Sequence, residues 1–308
     1  MNVIKQYNQI NYNTPRGIAL GNFDGVHIGH QKLIHQLLEK CQSNNLETCV
    51  YTFSNHTIPT ISNGESIQYI TNLYIKKKIF SDLGVDTLFL DSFNEILMAL
   101  NPEDFVKTIL VETLNCKIAV IGFDYRFGHK AEGDAFLLKQ LGEKYGFEVI
   151  VIDAVTMYGE KVSSSHIRNY LKNGDLDRVN KYLGRSFSIY NQVIDGDAKK
   201  KKLGYQTANI LLEPLQIIPK PGVYATLIKI QNKTYKGLTL INTTSTFDSK
   251  SPFVETFIMD YDGDLGNQFI EVQFIKRLRD EIRFEDPQSL ENQISKDIMQ
   301  IKKHLQYN

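Results

Sequence analysis

The stretch Gly21-Asn22-Phe23-Asp24-Gly25-Val26-His27-Ile28-Gly29-His30-Gln31 constrains the fold more than any other part of the chain. Ahead of it, Gly17-Ile18-Ala19-Leu20 reads as a short buried strand; behind it, Lys32 to Lys40 carries Leu33, Ile34, Leu37 and Leu38 at helical spacing. A strand, a glycine-bearing turn and a helix start are therefore expected. At such a junction unpaired backbone N–H groups and the positive end of the helix dipole point into the turn, which favours an anion such as phosphate. His27 and His30 are three residues apart, so a helix starting near Gly29 lets both imidazoles face one bound group. Imidazoles placed there can donate hydrogen bonds as negative charge grows on a phosphate. Two neighbouring histidines could also be surface residues or half of a metal site. No Cys, His or carboxylate pair elsewhere in the sequence completes a metal-ligand spacing.

Strands and helices alternate through the first half. Glu47 to Phe53 reads as a strand after the Ser43-Asn44-Asn45 turn. Ile67 to Asp82 reads as a helix whose Lys76-Lys77-Lys78 run forms a solvated basic side, and Val85 to Leu90 as a strand. Pro102 to Leu114 reads as a helix with Asn101 as cap, Pro102 at its first position, and Glu103 and Asp104 in its first turn. The strand Lys117 to Gly122, the helix Ala135 to Tyr145 and the strand Glu148 to Asp153 follow. This order implies a doubly wound parallel sheet, whose ligands bind at the carboxyl ends of the strands.

Two further signals lie after such strand ends. Gly122-Phe123-Asp124-Tyr125-Arg126-Phe127-Gly128, with Gly133-Asp134 close behind, fits a nucleotide or ring-bearing ligand, or an ordinary aromatic loop. Ser163-Ser164-Ser165-His166-Ile167-Arg168 opens a helix; its hydroxyls are natural caps, and with Arg168 one turn on they also make a second phosphate cradle.

With 308 residues the chain has room for two domains. Lys plus Arg and Asp plus Glu number 35 each, so no global field draws in nucleic acid or an anionic membrane, and phosphate binding must be local. Cys41, Cys49 and Cys116 are an odd number without C-x-x-C spacing, read as reduced thiols. No basic leader followed by an apolar run opens the chain, and no apolar stretch reaches membrane-spanning length, so the expected location is the cytoplasm.

His27-Ile28-Gly29-His30 resembles the signature of the Rossmann-like nucleotidyltransferases. Together with Gly122 to Gly128, Ser163 to Arg168 and Leu183-Gly184-Arg185, it is similar in order and spacing to the bacterial riboflavin kinase/FAD synthetase family across essentially the whole chain. The resemblance implies a Rossmann-like FMN adenylyltransferase domain over 1–185. That domain would move AMP from ATP to FMN, giving FAD and pyrophosphate. It assigns His27, His30 and Arg168 to catalysis, and Asn22, Phe23, Asp24, Gly25, Gly29, Ser163, Ser164 and Ser165 to ATP. It assigns Phe53, Asp124, Tyr125, Arg126 and Phe127 to the flavin. Ser165 stands where the family usually has Thr, which keeps the hydroxyl.

Beyond Arg185 the texture changes. Ser186 to Val193, Gly222 to Ile230, Lys236 to Ile241, Val254 to Tyr261 and Phe269 to Ile275 alternate like half-buried antiparallel strands. After Asp286-Pro287, the residues Leu290, Ile294, Ile298, Ile301 and Leu305 make one helical stripe. A small antiparallel β-barrel with a C-terminal helix is expected over 186–308. The resemblance makes this the riboflavin-kinase-like domain. Thr207 and Asn209 would then hold Mg²⁺ with ATP, and Glu255 would deprotonate the riboflavin hydroxyl. Lys201 and Lys202 would meet ATP phosphates, and Arg279 the flavin.

This half departs from the family pattern. Asp195-Gly196 replaces His-Gly, Lys200-Lys201 replaces Gly-Arg, and Gln206 replaces the Pro before Thr207. Leu240 to Thr246 replaces Asn-Ile-Gly-x-Arg-Pro-Thr, and Gly266-Asn267-Gln268 replaces Tyr-Gly-Arg. Lysine cannot stand in for a glycine that lets backbone approach a phosphate. The expectation is therefore an FAD synthetase with a weak or inactive kinase barrel, taking small-molecule substrates and neither nucleic acid nor membrane. The alternatives are an enzyme with both activities, its Lys199 to Lys202 run replacing the glycine contacts, and a flavin-sensing regulatory protein.

Overall fold

The computed structural model describes residues 1–5, 7–54, 67–194, 206–242, 253–282 and 284–304. They form two compact units, the first of Met1–Tyr69 and Leu73–Ser163, the second of Ile70–Asn72 and Ser164–Asn308.

The first unit contains β1 (Asn2–Ile4), β2 (Arg16–Leu20), α1 (Ile28–Asn44), β3 (Glu47–Phe53), α2 (Leu73–Leu83) and β4 (Thr87–Asp91). Then come α3 (Glu95–Ala99), α4 (Pro102–Asp104), β5 (Cys116–Gly122), α5 (Ala135–Tyr145), β6 (Glu148–Ile152) and the hairpin β7 (Thr156–Met157) and β8 (Glu160–Lys161). The sheet runs β1-β4-β3-β2-β5-β6 with every pair parallel. β2 and β4 are buried along their whole length, as expected of strands covered on both faces. Ile18, Leu20, Tyr51 and Phe89 pack on one face with Phe105 and Leu110; Ala19, Val50 and Leu88 pack on the other with Leu33, Leu37 and Phe80.

Two details depart from the expected pattern. The Pro102 helix is capped by Asn101, whose side chain accepts from Asp104 N, but it continues over Phe105–Thr113 as a π-helix. The helix expected from Ile67 starts only at Leu73, because Ile70–Asn72 belongs with the second unit, where Asn72 Nδ2 donates to Tyr190 O at 2.7 Å.

The second unit opens with α6 (Ser164–Asn173) and α7 (Leu176–Leu183). Its strands are β9 (Phe187–Ile194), β10 (Gln206–Ile210), β11 (Gly222–Ile230), β12 (Lys233–Asn242), β13 (Phe253–Ile258) and β14 (Phe269–Arg279), and α8 (Pro287–His304) follows. The strands close in the order β10-β13-β12-β11-β14-β9, all antiparallel. The units divide ahead of residue 185 because α7 is tied to the barrel: Asn180 Nδ2 donates to Phe274 O at 3.0 Å, and its Oδ1 accepts from Phe187 N at 2.8 Å.

Residues along the strands alternate between barrel interior and helix-covered exterior. On the exterior, Val223, Ala225, Leu238 and Phe257 meet Ile294, Ile298 and Ile301 of α8, so the stripe is packing surface. Thr226, Thr239 and Thr256, all fully buried, join three neighbouring strands through hydroxyl contacts of 2.8 and 2.9 Å.

Arg279 ties β14 to α8. Its Nε lies 3.1 Å from both carboxylate oxygens of Asp297 and its Nη2 2.7 Å from Oδ2, while Asp297 is 1% exposed. Arg279→Ala leaves a buried carboxylate without its cation and should destabilise the chain by about 3 kcal/mol in urea denaturation. A variant as stable as the wild type would show that the pair carries no such load.

Cys41, Cys49 and Cys116 are free and buried; burial pushes the Cys41 thiol up to about 11 and Cys49 up to about 12, and raises Cys116 as well. The folded chain should therefore react slowly with a thiol reagent at about pH 8, all three becoming reactive only on unfolding. Rapid labelling of the native protein would contradict this burial.

Candidate functional site

β2 delivers the chain into a turn made of left-handed residues. Phe23 sits at φ 48, Gly25 at φ 81 and Val26 at φ 40. Glycine tolerates this conformation, but a β-branched valine is strained there by about 1–3 kcal/mol, which the surroundings must offset. Val26 is fully buried, and Gln31 Nε2 donates to its carbonyl at 2.8 Å. Phe23, 1% exposed, is held edge-on by Phe80 at 5.6 Å.

The turn sets down His27 as the cap of α1. Its Nδ1 accepts from the backbone N–H of His30 at 3.3 Å. With Nδ1 used as an acceptor, the ring proton of a neutral His27 imidazole is on Nε2. The rings of His27 and His30 stack at 3.6 Å with 13° between planes. Phe23 braces the His30 ring at 5.2 Å. Gly29 keeps this arrangement open: a Cβ there would sit 3.1 Å from His27 Nδ1 and 3.2 Å from Cε1. The H-x-G-H spacing thus places two imidazoles and the first N–H groups of α1 together.

Asp24 is 8% exposed within the turn. The Asn22 carbonyl accepts from Thr52 Oγ1 at 3.1 Å and from Lys76 Nζ at 2.9 Å. The expected solvated basic side of α2 therefore needs correcting: Lys76 is partly buried and its ammonium is bound to the turn. All three lysines of the run are half-buried, and the sequence gave no sign that Lys76 would reach the turn.

The other strand ends carry an aromatic group. Tyr51 lies 5.7 Å from Phe53, 5.5 Å from Phe89 and 6.0 Å from Phe105; Phe105 meets Phe127 at 5.7 Å, and Phe127 stacks on Tyr125 at 5.7 Å. Phe53, Tyr125 and Phe127 thus belong to one cluster. Within it Phe127 is buried, and Gly133 is required beside it, since a Cβ would lie 2.7 Å from its ring. Asp124 and Arg126 are exposed: Asp124 pairs with Lys161 at 2.5 Å, and Arg126 lies 3.7 Å from Asp134, the cap of α5. Lys161 Nζ also sits 4.1 Å above the Phe123 ring.

Asp91, missed in the sequence, anchors this group. It ends β4, is 6% exposed, and accepts from Tyr7 at 2.5 Å, from Tyr51 and, through Oδ1, from Ser92 N at 2.8 Å. Burial and the adjacent carboxylate raise both tyrosine hydroxyls, so they stay protonated donors. An aspartate ending an apolar strand carries no distinguishing pattern in sequence.

In the second unit, Ser164 and Ser165 open α6, directly after Ser163, and Arg168 follows one turn on. In the barrel, Asn209 pairs with Glu255 across β10 and β13, and Thr207 lies two residues earlier on the same side as Asn209. The hydroxyl, amide oxygen and carboxylate of these half-buried residues are the oxygen donors that suit a hard cation. Arg279 is engaged with Asp297. Lys201 and Lys202 lie outside the described residues, as do Asp195, Gly196 and Thr243 to Thr246. Among the described residues no three His, Cys, Asp or Glu side chains cluster as metal ligands.

Comparison with known proteins covers both units. A family model for FAD synthetase matches residues 9–166, and one for riboflavin kinase matches 183–305. The chain is 36% identical over 95% of its length to a bifunctional riboflavin kinase/FMN adenylyltransferase of Buchnera aphidicola, covering 95% of that protein. A Listeria monocytogenes protein of the same description is 34% identical over 91% of this chain and 89% of its own. A crystal structure from Streptococcus pneumoniae, described as a macrolide-efflux protein, superposes with a TM-score of 0.85 at 27% identity, covering 97% of this chain and 98% of its own. Among the described residues no helix is long and apolar enough to cross a membrane. The matched domains and relatives make the chain an enzyme with nucleotidyltransferase activity, and it belongs to the bifunctional riboflavin kinase/FMN adenylyltransferase family.

Proposed function

We propose that the chain works in the cytoplasm as an FAD synthetase on small-molecule substrates and not on nucleic acid, with a riboflavin kinase step that is weak by comparison. The observation that carries the first part is the stacked His27–His30 pair capping α1 beyond a left-handed turn. A phosphate oxygen of FMN attacks the α-phosphorus of ATP, the bond to the β-phosphate breaks, and pyrophosphate leaves with the bond electrons. Charge accumulates on the transferring and leaving oxygens. There His27, through Nε2–H, and His30 stabilise it together with the N–H groups that open α1.

Asn22, Phe23, Asp24, Gly25 and Gly29 shape that cradle for ATP. For Ser163, Ser164, Ser165 and Arg168 the proposed role is pyrophosphate binding, supported by their position at the start of α6. Phe53, Asp124, Tyr125, Arg126 and Phe127 are assigned to the flavin side, the aromatic cluster bearing its rim and the two exposed charges its entrance. Mg²⁺, when bound, would neutralise ATP phosphate charge. In the barrel, Thr207 and Asn209 would hold it and Glu255 would take the proton from the riboflavin hydroxyl.

The proposed division of labour is adenylyl transfer in 1–185 and the kinase-like barrel in 186–308, supported by the family models that match 9–166 and 183–305. The reading of a weak kinase rests on Lys200-Lys201 and Leu240 to Thr246 replacing the family's glycines and phosphate-loop residues. The contrary reading, a full kinase with Lys201 and Lys202 on the phosphates, is favoured by the intact pairing of Asn209 with Glu255.

Incubation with Mg-ATP and either FMN or riboflavin, followed by flavin chromatography, separates them. FAD from FMN and little FMN or FAD from riboflavin is expected; equal conversion of riboflavin would establish the full kinase. His30→Ala should lower FAD formation by about 100-fold or more with unchanged circular dichroism. Near wild-type turnover in that variant would remove the histidine pair from the mechanism.

A further inference from the structure

Strands β3 and β4 run parallel with Tyr51 opposite Phe89 and Phe53 opposite Asp91, so these four side chains share one face of the sheet. Three of them are rings, and the fourth is a nearly buried carboxylate. Its Oδ2 accepts from two hydroxyls, that of Tyr7 at 2.5 Å and that of Tyr51, while its Oδ1 accepts from Ser92 N at 2.8 Å. The Asp91 carbonyl accepts from Ser54 N at 2.8 Å and from Ser54 Oγ at 3.1 Å, which ties the ends of the two strands together. Burial, and then the adjacent carboxylate, raises the hydroxyls of both tyrosines, so each stays a donor.

Cohesion alone does not call for this hub. Phenylalanine at each tyrosine and an apolar residue at position 91 would bury the same face without desolvating a charge. What the polar contacts add is orientation, because a hydroxyl held on a carboxylate fixes the ring that carries it. Tyr51 stacks on Phe89 at 5.5 Å with 13° between planes, and meets Phe53 edge-on at 5.7 Å and 82°. It also lies 6.0 Å from Phe105, whose ring leads through Phe127 to Tyr125. Phe53 and Tyr125 are the half-buried members, open to a ligand's ring, whereas Tyr51, Phe89, Phe105 and Phe127 are buried. Tyr7 comes from the single turn Tyr7–Gln9 ahead of β2, and its ring lies 5.4 Å from Phe89. One carboxylate thus joins the segment before β2 to the ring cluster at the strand ends.

We propose that Asp91 is a positioning residue of the flavin side: by holding the Tyr7 and Tyr51 hydroxyls it fixes the ring of Tyr51, and through it that of Phe53, in the orientation that receives the isoalloxazine ring of FMN. The proposal rests on the assignment of this aromatic cluster to the flavin in adenylyl transfer and extends it to a carboxylate that acts through its neighbours.

The test measures steady-state FAD formation and calorimetric FMN binding in wild type, Asp91→Asn, Tyr7→Phe, Tyr51→Phe and the double variant Tyr51→Phe/Asp91→Asn. Asp91→Asn keeps the volume and removes the charge, and should raise KM and Kd for FMN about tenfold, the scale of a lost hydrogen bond to a charged group. Tyr7→Phe and Tyr51→Phe retain their rings and should each raise both constants about threefold. KM for Mg-ATP should stay within about twofold throughout, since binding of the other substrate is untouched. The double variant should stay within about twofold of Asp91→Asn, because tyrosine and carboxylate act through one contact. Flavin held by the barrel is common to every chain, so differences between the chains read the first unit.

Unchanged FMN constants in Asp91→Asn, an equal rise for FMN and Mg-ATP, or fully additive losses in the double variant would overturn the proposal. Should Asp91→Asn fail to fold, Tyr7→Phe decides, since Tyr7 is 37% exposed. With a native circular dichroism spectrum, a KM raised for FMN alone upholds the role, and an unchanged KM overturns it. A wild type that binds FMN but forms no FAD would sink the adenylyl-transfer reading alone, and the FMN binding comparison would still judge Asp91. A wild type that binds no FMN would sink both.

Discussion

The hydrogen bond from the His30 backbone N–H to His27 Nδ1 is the contact on which the geometry of the turn after β2 depends. It starts α1, selects which nitrogen of His27 carries the proton, and brings the two imidazoles into a stack. It exists only because the chain arrives through three left-handed residues, one of them a valine that would not adopt φ 40 unaided. Burial of Val26 and Phe23, and the grip of α2 on the turn, supply the constraint. Strain of this kind persists where the surroundings over-determine the backbone, and here it brings the two imidazoles together at the start of α1.

A parallel sheet covered on both faces leaves the carboxyl ends of its strands as the place where polar groups can gather. The first unit uses that edge twice. β2 ends in the histidine turn, while β3, β4 and β5 end in an aromatic cluster pinned by Asp91 through the hydroxyls of Tyr7 and Tyr51. The carboxylate gains two charge-assisted hydrogen bonds in a buried setting, and the rings gain fixed orientations. A flat, ring-bearing ligand needs such fixed rings at its rim.

The barrel shows a different economy. Its register puts Asn209 opposite Glu255, and the two-residue period puts Thr207 beside them. Arg279, by contrast, serves the fold: it neutralises Asp297 inside the α8 contact.

Much of the architecture was legible in the linear order of residues. The strand Glu47–Phe53, the helix Ala135–Tyr145, the strand Gly222–Ile230 and the change from alternating elements to strands near residue 185 follow from local periodicity, which needs no tertiary context. His27, Gly29 and His30 stood out because cap, glycine and spacing fall within four consecutive positions. Lys76 and Asp91 did not, since each acts across the fold, on a carbonyl or hydroxyls far away in the chain. Nor did the grouping of Ile70–Asn72 and α6–α7 with the second unit, which arises from hydrogen bonds to Tyr190, Phe274 and Phe187. By itself the sequence determined the element order and the histidine-bearing helix start, because both are written in short-range spacing. That Lys76 bonds the turn, which carboxylate anchors the aromatic cluster and where the compact units divide were decided by the tertiary structure, because those outcomes depend on contacts between segments that local spacing does not encode.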